Sequence, residues 1–273
     1  SPDSMSVKKS GALVMELPSS TGGGWWDDRS EKEIKEEYQQ EIDEINEFFE
    51  KARFYDRMVK AYEADPSGKT KPDFDPRMEA MREVLAGEVP IAIEVSREQE
   101  ILDAIEWTKS HEGMEFFLVG AEEGWRVAEE IAEAGLPVLT TTLYTPSDYD
   151  NYQRPYQNPG LMAEAGVKVA IVSDDTENSR NAPFEAGYAA AYGLGQEEAI
   201  KALTINPAEI FGVDDKIGSL EAGKQANLFI SDGNPLQPMT KIEQVFIKGY
   251  KIPMDSRHIQ LYEEFLDRDA VNK

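Results

Sequence analysis

Between Val89 and Ser173 the chain alternates short apolar runs with longer segments of helical periodicity, a rhythm that few folds accept. Val89 to Val95, Glu115 to Val119, Leu136 to Leu143 and Val167 to Ser173 read as buried strands. Glu98 to Ser110 and Glu122 to Ala134 read as amphipathic helices between them. Strands joined by helical crossovers run parallel, because a tight hairpin can only join antiparallel neighbours. The pattern therefore predicts an α/β architecture, either a barrel or a doubly wound sheet.

The flanks extend this body. Gly11 to Leu17 is a further short strand, stopped by Pro18 and the flexible stretch from Ser19 to Gly24, and so brief a lead-in implies that no full domain precedes it. Ser30, with Glu33 three residues on, has the form of a capping box. From there to Tyr62, residues such as Ile34, Tyr38, Ile42, Ile45, Phe49 and Tyr55 recur at helical spacing. After the Asp65-Pro-Ser-Gly68 break, Arg77 to Ala86 forms another helix. Pro183 to Tyr192, Gln196 to Leu203 and Pro207 to Phe211 read as helices, and Ile217 to Pro253 as short strands and turns. The expected organisation is an α/β body over 1–212 with a helical insertion at about 30–86, a small β portion over 213–254, and a C-terminal arm over 255–273.

Charge excludes several partners. A net charge of −25 leaves no clustered Lys and Arg for nucleic acid or an anionic membrane, both of which need cations to meet phosphate. No apolar run reaches the roughly 20 residues that cross a bilayer, and the first residues lack a signal-peptide pattern. A soluble protein of the cytoplasm or periplasm is expected, and the absence of cysteine leaves the choice open while excluding disulfides and thiolate metal sites. Gly22-Gly-Gly24 lacks the Lys-Ser/Thr of a phosphate loop and reads as a hinge, and no Gly-x-Ser-x-Gly elbow is present.

Ala202-Leu-Thr-Ile-Asn-Pro-Ala-Glu-Ile-Phe-Gly-Val213, followed by Ile217-Gly-Ser-Leu-Glu-Ala-Gly-Lys224, Ala226-Asn-Leu-Phe-Ile230, Asp232-Gly-Asn-Pro-Leu236 and Val245-Phe-Ile-Lys-Gly249, resembles the C-terminal signature of the amidohydrolase superfamily. The similarity continues upstream through Leu118-Val-Gly-Ala-Glu-Glu-Gly-Trp125, Ala165-Gly-Val-Lys-Val-Ala170 and Asn181-Ala-Pro-Phe-Glu-Ala186, and looks like the imidazolonepropionase-like branch. The resemblance implies the C-terminal portion of a (β/α)8 TIM-type barrel with part of a flanking β-sandwich, and a site at the C-terminal ends of the barrel strands. It further implies hydrolysis of C–N bonds in a small-molecule amide or cyclic amide by water bound to a divalent metal, zinc first.

Matching the family's site position by position gives a partial set. Asp174, closing Val169-Ala-Ile-Val-Ser-Asp174, stands where the family has its last-strand Asp, although Asp174 or its neighbour Asp175 could equally open a turn. Pro90-Ile-Ala-Ile-Glu94 puts Glu94 where a His ligand usually ends the fifth strand. A carboxylate there can ligate metal or serve as a base, or it can satisfy the helix beginning near Arg97. Val119 occupies the next ligand position and cannot bind metal, and Glu122 reads as a carboxylate at a helix N-terminus. The chain has two histidines: His111, expected at the surface in a polar turn, and His258 in the tail. Trp25, Trp26, Tyr144, Tyr149, Tyr152 and Tyr156 read either as a pocket lining or as packing under a long loop.

Two readings follow: a portion of a metal-dependent hydrolase whose early strands and histidines come from a second polypeptide, or a metal-free pseudoenzyme or binding protein on the same fold. In either case the acidic surface repels itself. The melting temperature is expected to rise from low to high salt as that repulsion is screened, and a flat or falling trend in a thermal melt would contradict this.

Overall fold

The computed structural model describes residues 6–22, 27–146, 149–173 and 176–266. Five strands, β1 (Leu13–Glu16), β2 (Ile91–Val95), β3 (Phe116–Gly120), β4 (Val138–Thr140) and β5 (Val169–Ile171), pair parallel in chain order. The crossovers are helical: α1 (Glu31–Ala64) and α2 (Pro76–Leu85) join β1 to β2, and α3 (Glu98–Lys109), α4 (Ala128–Ala134) and α5 (Arg154–Glu164) serve the following gaps. After β5 come α6 (Ala182–Ala189), α7 (Gln196–Leu203) and α8 (Ile205–Ile210). The chain then forms an antiparallel sheet of β6 (Leu228–Ser231), β7 (Ile242–Ile247) and β8 (Tyr250–Ile252), and ends in α9 (Arg257–Leu266).

Local chemistry sets the helix starts. Ser30 and Glu33 close a reciprocal capping box on α1, the Ser30 amide donating to Glu33 Oε2 at 2.8 Å. Asp75 caps α2 ahead of Pro76, whose missing N–H costs nothing in a first turn. Arg82 then ties the two helices together, donating to Asp56 at 3.1 Å and Glu63 at 3.1 Å. The α1 face carrying Ile42, Phe49, Ala52 and Tyr55 is buried against the body.

Alternation along the strands divides the core. Ile91, Ile93, Leu118, Val138 and Val169 point to the helical layer and join Ile101, Ala104, Ile131, Met162 and Ala199 in one cluster. The alternate residues Ala92, Phe117, Leu139 and Ala170 form a second cluster on the inner face, against Ile210 and Phe211. The Phe211 ring meets Phe117 edge to face at 5.4 Å, and Lys8 Nζ fastens this corner by donating to the carbonyls of Phe211 (3.1 Å) and Glu88 (2.8 Å). Glu88 precedes β2, so Phe211 closes the inner face at the base of the strands. Toward β1 the cover gives out: Val14, in register with Ala92, is 60% exposed.

Three elements differ from the periodicity. β4 is confined to Val138–Thr140, and α4 starts at Ala128 because Ala121 takes a left-handed turn (φ 46°) that sends Glu122 away from any helix. α5 has no clear sequence signal, since Asn158-Pro-Gly160 reads as a breaker. Packing overrides that propensity: Gly160 sits against Leu194 and Gly193, where a Cβ would meet backbone atoms at 2.8 and 2.9 Å. Among the described residues no helix is long and apolar enough to cross a membrane.

The two faces predict unequal sensitivities. Leu118→Ala, at a position with no exposure, is expected to cost about 2–5 kcal/mol in urea denaturation, whereas Val14→Ala should cost less than about 1 kcal/mol in the isolated chain.

Candidate active site

In sheets built from helical crossovers, the loops leaving the strands' C-terminal ends are free to carry chemistry, because the helices occupy one face. Register brings Glu16 of β1, Glu94 of β2 and Val119 of β3 into one row across these ends. Glu94 is exposed, while its strand neighbours Ile93 and Val95 are buried, so its carboxylate stands on the inner face. A cleft of about 420 Å³ opens there, lined by Glu16, Glu94, Ser96 and Val119 among others. The start of α3 is served by another carboxylate, for Glu100 accepts from the amides of Ser96 (2.9 Å) and Arg97 (3.1 Å).

The loop after β3 is rigidly built. The Ala121 amide donates to Val95 O at 2.7 Å, and the fully buried Asn158 of α5 clamps the loop from below. Its Nδ2 donates to Ala121 O at 2.9 Å and its Oδ1 accepts from Trp125 N at 2.8 Å. Space is tight at Gly124, where a Cβ would meet Met162 Sδ at 2.5 Å and displace that side chain. Glu122 accepts from the Ser96 hydroxyl at 3.0 Å, an interaction across two loops that replaces the helix-terminal role expected for it. The Tyr144 hydroxyl donates to the Glu122 carbonyl at 2.6 Å. Burial, helped by the charges of Glu122 and Glu123, holds this phenol well above its ordinary pKa.

At the end of β4 lies a buried polar cluster that the residue patterns did not single out. Thr140, Thr141 and Thr142 follow one another with little or no exposure, and Glu185 of α6 reaches under them. Thr141 Oγ1 donates to Glu185 Oε2 at 2.7 Å, with the Thr142 amide at 3.4 Å. Glu185 Oε1 and Thr142 Oγ1 have no partner among the described residues. A glutamate in the middle of Asn181-Ala-Pro-Phe-Glu-Ala186, where neighbours are small and apolar, was the available signal.

The other candidate residues separate. Asp174, Asp175, Trp25, Trp26 and the Tyr149 side chain lie outside the described residues. Tyr156 stacks obliquely with Tyr188 (5.4 Å) and Tyr192 (5.1 Å), a packing role, and Tyr152 is exposed. His258 is exposed on α9. His111 is buried, contrary to the polar turn that carries it: its ring lies 4.0 Å from that of Trp107 and 5.2 Å from that of Phe49, and Nδ1 meets the Trp107 carbonyl at 3.0 Å. It precedes β3, at the end of the strands away from Glu94.

A metal requires several converging ligands, and among the described residues no group of three or more His, Cys, Asp or Glu side chains meets that need. Glu16 and Glu94 are two carboxylates in register, and Val119 ends their row with an aliphatic side chain. The described residues alone therefore do not fit the metal that the resemblance implies.

The sequence pattern of the amidohydrolase family matches residues 13–251, and the chain belongs to that family. Within it the relatives point to the imidazolonepropionase-like branch. An imidazolonepropionase of Syntrophobacter fumaroxidans is 34% identical over 123 residues, which is 44% of this chain and 27% of that enzyme; one of Picrophilus torridus is 36% identical over 126 residues, 43% and 30% respectively. The chain thus matches less than a third of the length of these curated relatives. A solved amidohydrolase of Thermotoga maritima superposes with a TM-score of 0.71 at 25% identity, over 89% of this chain and 62% of that one.

His111 supplies a pH test of its packing. Burial first of all lowers its pKa in the folded state below the ordinary 6.5, so folding favours the neutral ring. The associated stability is complete above the unfolded pKa and is lost as pH falls below about 6.5 through the folded pKa. Urea denaturation between pH 7 and 5 is expected to show this loss, and His111→Gln should flatten the slope in that window.

Proposed function

We propose that this chain supplies the later strands of a (β/α)8 amidohydrolase barrel, in which β1 to β5 are completed by early strands from a second polypeptide. On this reading residues 1–212 are the barrel portion with the helical insertion, 213–254 part of the flanking sandwich, and 255–273 an arm. The assembly hydrolyses C–N bonds of a small amide or cyclic amide. The observation that carries the proposal is the row at the strand ends, where Glu94 stands exposed on an inner face that a family member would fold around its substrate. The half-uncovered face at Val14, and the 62% coverage of the Thermotoga chain, agree with missing strands.

Amide hydrolysis needs a base for the attacking water and an acid for the leaving nitrogen. Glu94 is the carboxylate placed to take the proton of the water that attacks the carbonyl and to pass it to the leaving nitrogen as the C–N bond breaks, with Glu16 beside it in the row. Asp174, by its match to the family's last strand, is the second site-facing carboxylate. A divalent metal such as zinc requires histidines from the partner, with Glu94 and Asp174 as the ligands this chain can add. The alternative, a metal-free binding protein, draws on Val119 in a ligand position.

Native mass spectrometry of the protein as isolated from its source is expected to show a species heavier than 30.6 kDa, joined through an interface above roughly 2,000 Å². A monodisperse monomer would remove the two-chain reading. Glu94→Gln is expected to lower amide hydrolysis by about a hundredfold or more while leaving the thermal melt unchanged. Hydrolysis at the unaltered rate would take Glu94 out of the site.

A further inference from the structure

Glu185 is the most deeply buried acidic side chain among the described residues, 1% exposed, and no cationic side chain among them closes an ion pair on it. Arg180, the basic residue nearest to it in the chain, is exposed. The depth of Glu185 is fixed by the helix that carries it. Ala186 and Ala189 of α6 have no exposure, and Gly187 lies so close to Leu236 that a Cβ would meet its carbonyl oxygen at 2.5 Å. Held on two sides, α6 keeps the carboxylate beneath the end of β4.

Only one of its oxygens is used. Oε2 accepts from the Thr141 hydroxyl at 2.7 Å and, at a long 3.4 Å, from the Thr142 amide. Oε1 and Thr142 Oγ1 are buried atoms with no partner among the described residues. Their residues already meet at the Thr142 amide, so a single small group can serve both. The Thr140 hydroxyl, with no exposure and only the Thr141 carbonyl at 3.4 Å, stands two residues back on the same strand end. A water molecule would satisfy hydrogen bonds here and leave the charge of a carboxylate uncompensated in a low dielectric, whereas a cation answers both needs.

We propose that Glu185 Oε1 and the Thr142 hydroxyl form a site for a monovalent alkali cation beneath the turn after β4. The donors are all hard oxygens, which select hard cations over transition metals. One carboxylate balances one positive charge, so sodium or potassium fits where a divalent ion would leave an excess. The ion braces a segment that matters to the cleft above it: the same turn leads into Tyr144, whose hydroxyl donates to the Glu122 carbonyl at 2.6 Å. The site stands on this geometry whether or not the assembly is a hydrolase.

Thermal melts of the protein as isolated, with any partner it carries, test this in choline chloride, sodium chloride and potassium chloride at one ionic strength of about 0.1 M, which holds screening constant. Choline is too bulky to enter. Sodium or potassium is expected to raise the melting temperature by about 2 °C or more over choline, the larger effect marking the preferred ion. Glu185→Gln, which keeps the shape and removes the charge, should melt alike in all three salts. Should that variant fail to fold, Thr142→Val should reduce the alkali effect at least about twofold. Crystals grown in rubidium chloride are expected to show anomalous density between Glu185 Oε1 and Thr142 Oγ1. Equal melting of the unaltered protein in the three salts, an alkali effect that Glu185→Gln retains in full, or a water at that position in the rubidium crystals would overturn the site.

Discussion

A parallel sheet is stable only when both faces are covered, and this requirement organises the whole chain. The helical crossovers settle one face: Ile91, Ile93, Leu118 and Val138 disappear beneath α3, α4 and their neighbours. The inner face is settled only in part. Phe211, carried past β5 by α8, seals the base against Phe117, and Lys8 ties that seal to the approach to β2. Above the seal the same face carries Glu94 rather than another aliphatic residue. Burial at the base and exposure at the rim thus create a floor and a working surface from one alternation.

The loops on that surface are positioned by groups deeper in the fold. Asn158 holds the β3 loop through two hydrogen bonds, and Glu185 holds the turn after β4 through Thr141. Both side chains are almost fully buried: Asn158 pairs both of its amide atoms, and Glu185 pairs one of its two oxygens. The left-handed Ala121 shows the same constraint in the backbone, since a non-glycine residue occupies that region only when its surroundings fix it.

Much of the fold was legible from residue patterns. Each of the five strands showed as an apolar run, and the capping box at Ser30 marks the start of α1. The short C-terminal strands showed through their turn glycines. What was hidden had physical causes. α5 contradicts its own propensities, and tertiary contacts at Gly160 and Asn158 compensate. His111 looks like a surface residue by its neighbours in sequence, but Trp107, one helical turn back, provides a ring to stack on. At the candidate site, Glu94 could be placed at a strand end by matching Pro90-Ile-Ala-Ile-Glu94 to the family's fifth strand. The Glu185 cluster could not, because its members come together from the end of β4 and from α6. Asp174 rests on its match to the family alone.

The Phe211 seal also governs traffic. With the base of the inner face closed, a small molecule approaching the Glu94 row arrives from the loop side or past the β1 edge, and if strands cover that edge the loop side alone remains. On the proposed reading entry and departure then share one doorway, so a product that lingers would keep out its successor.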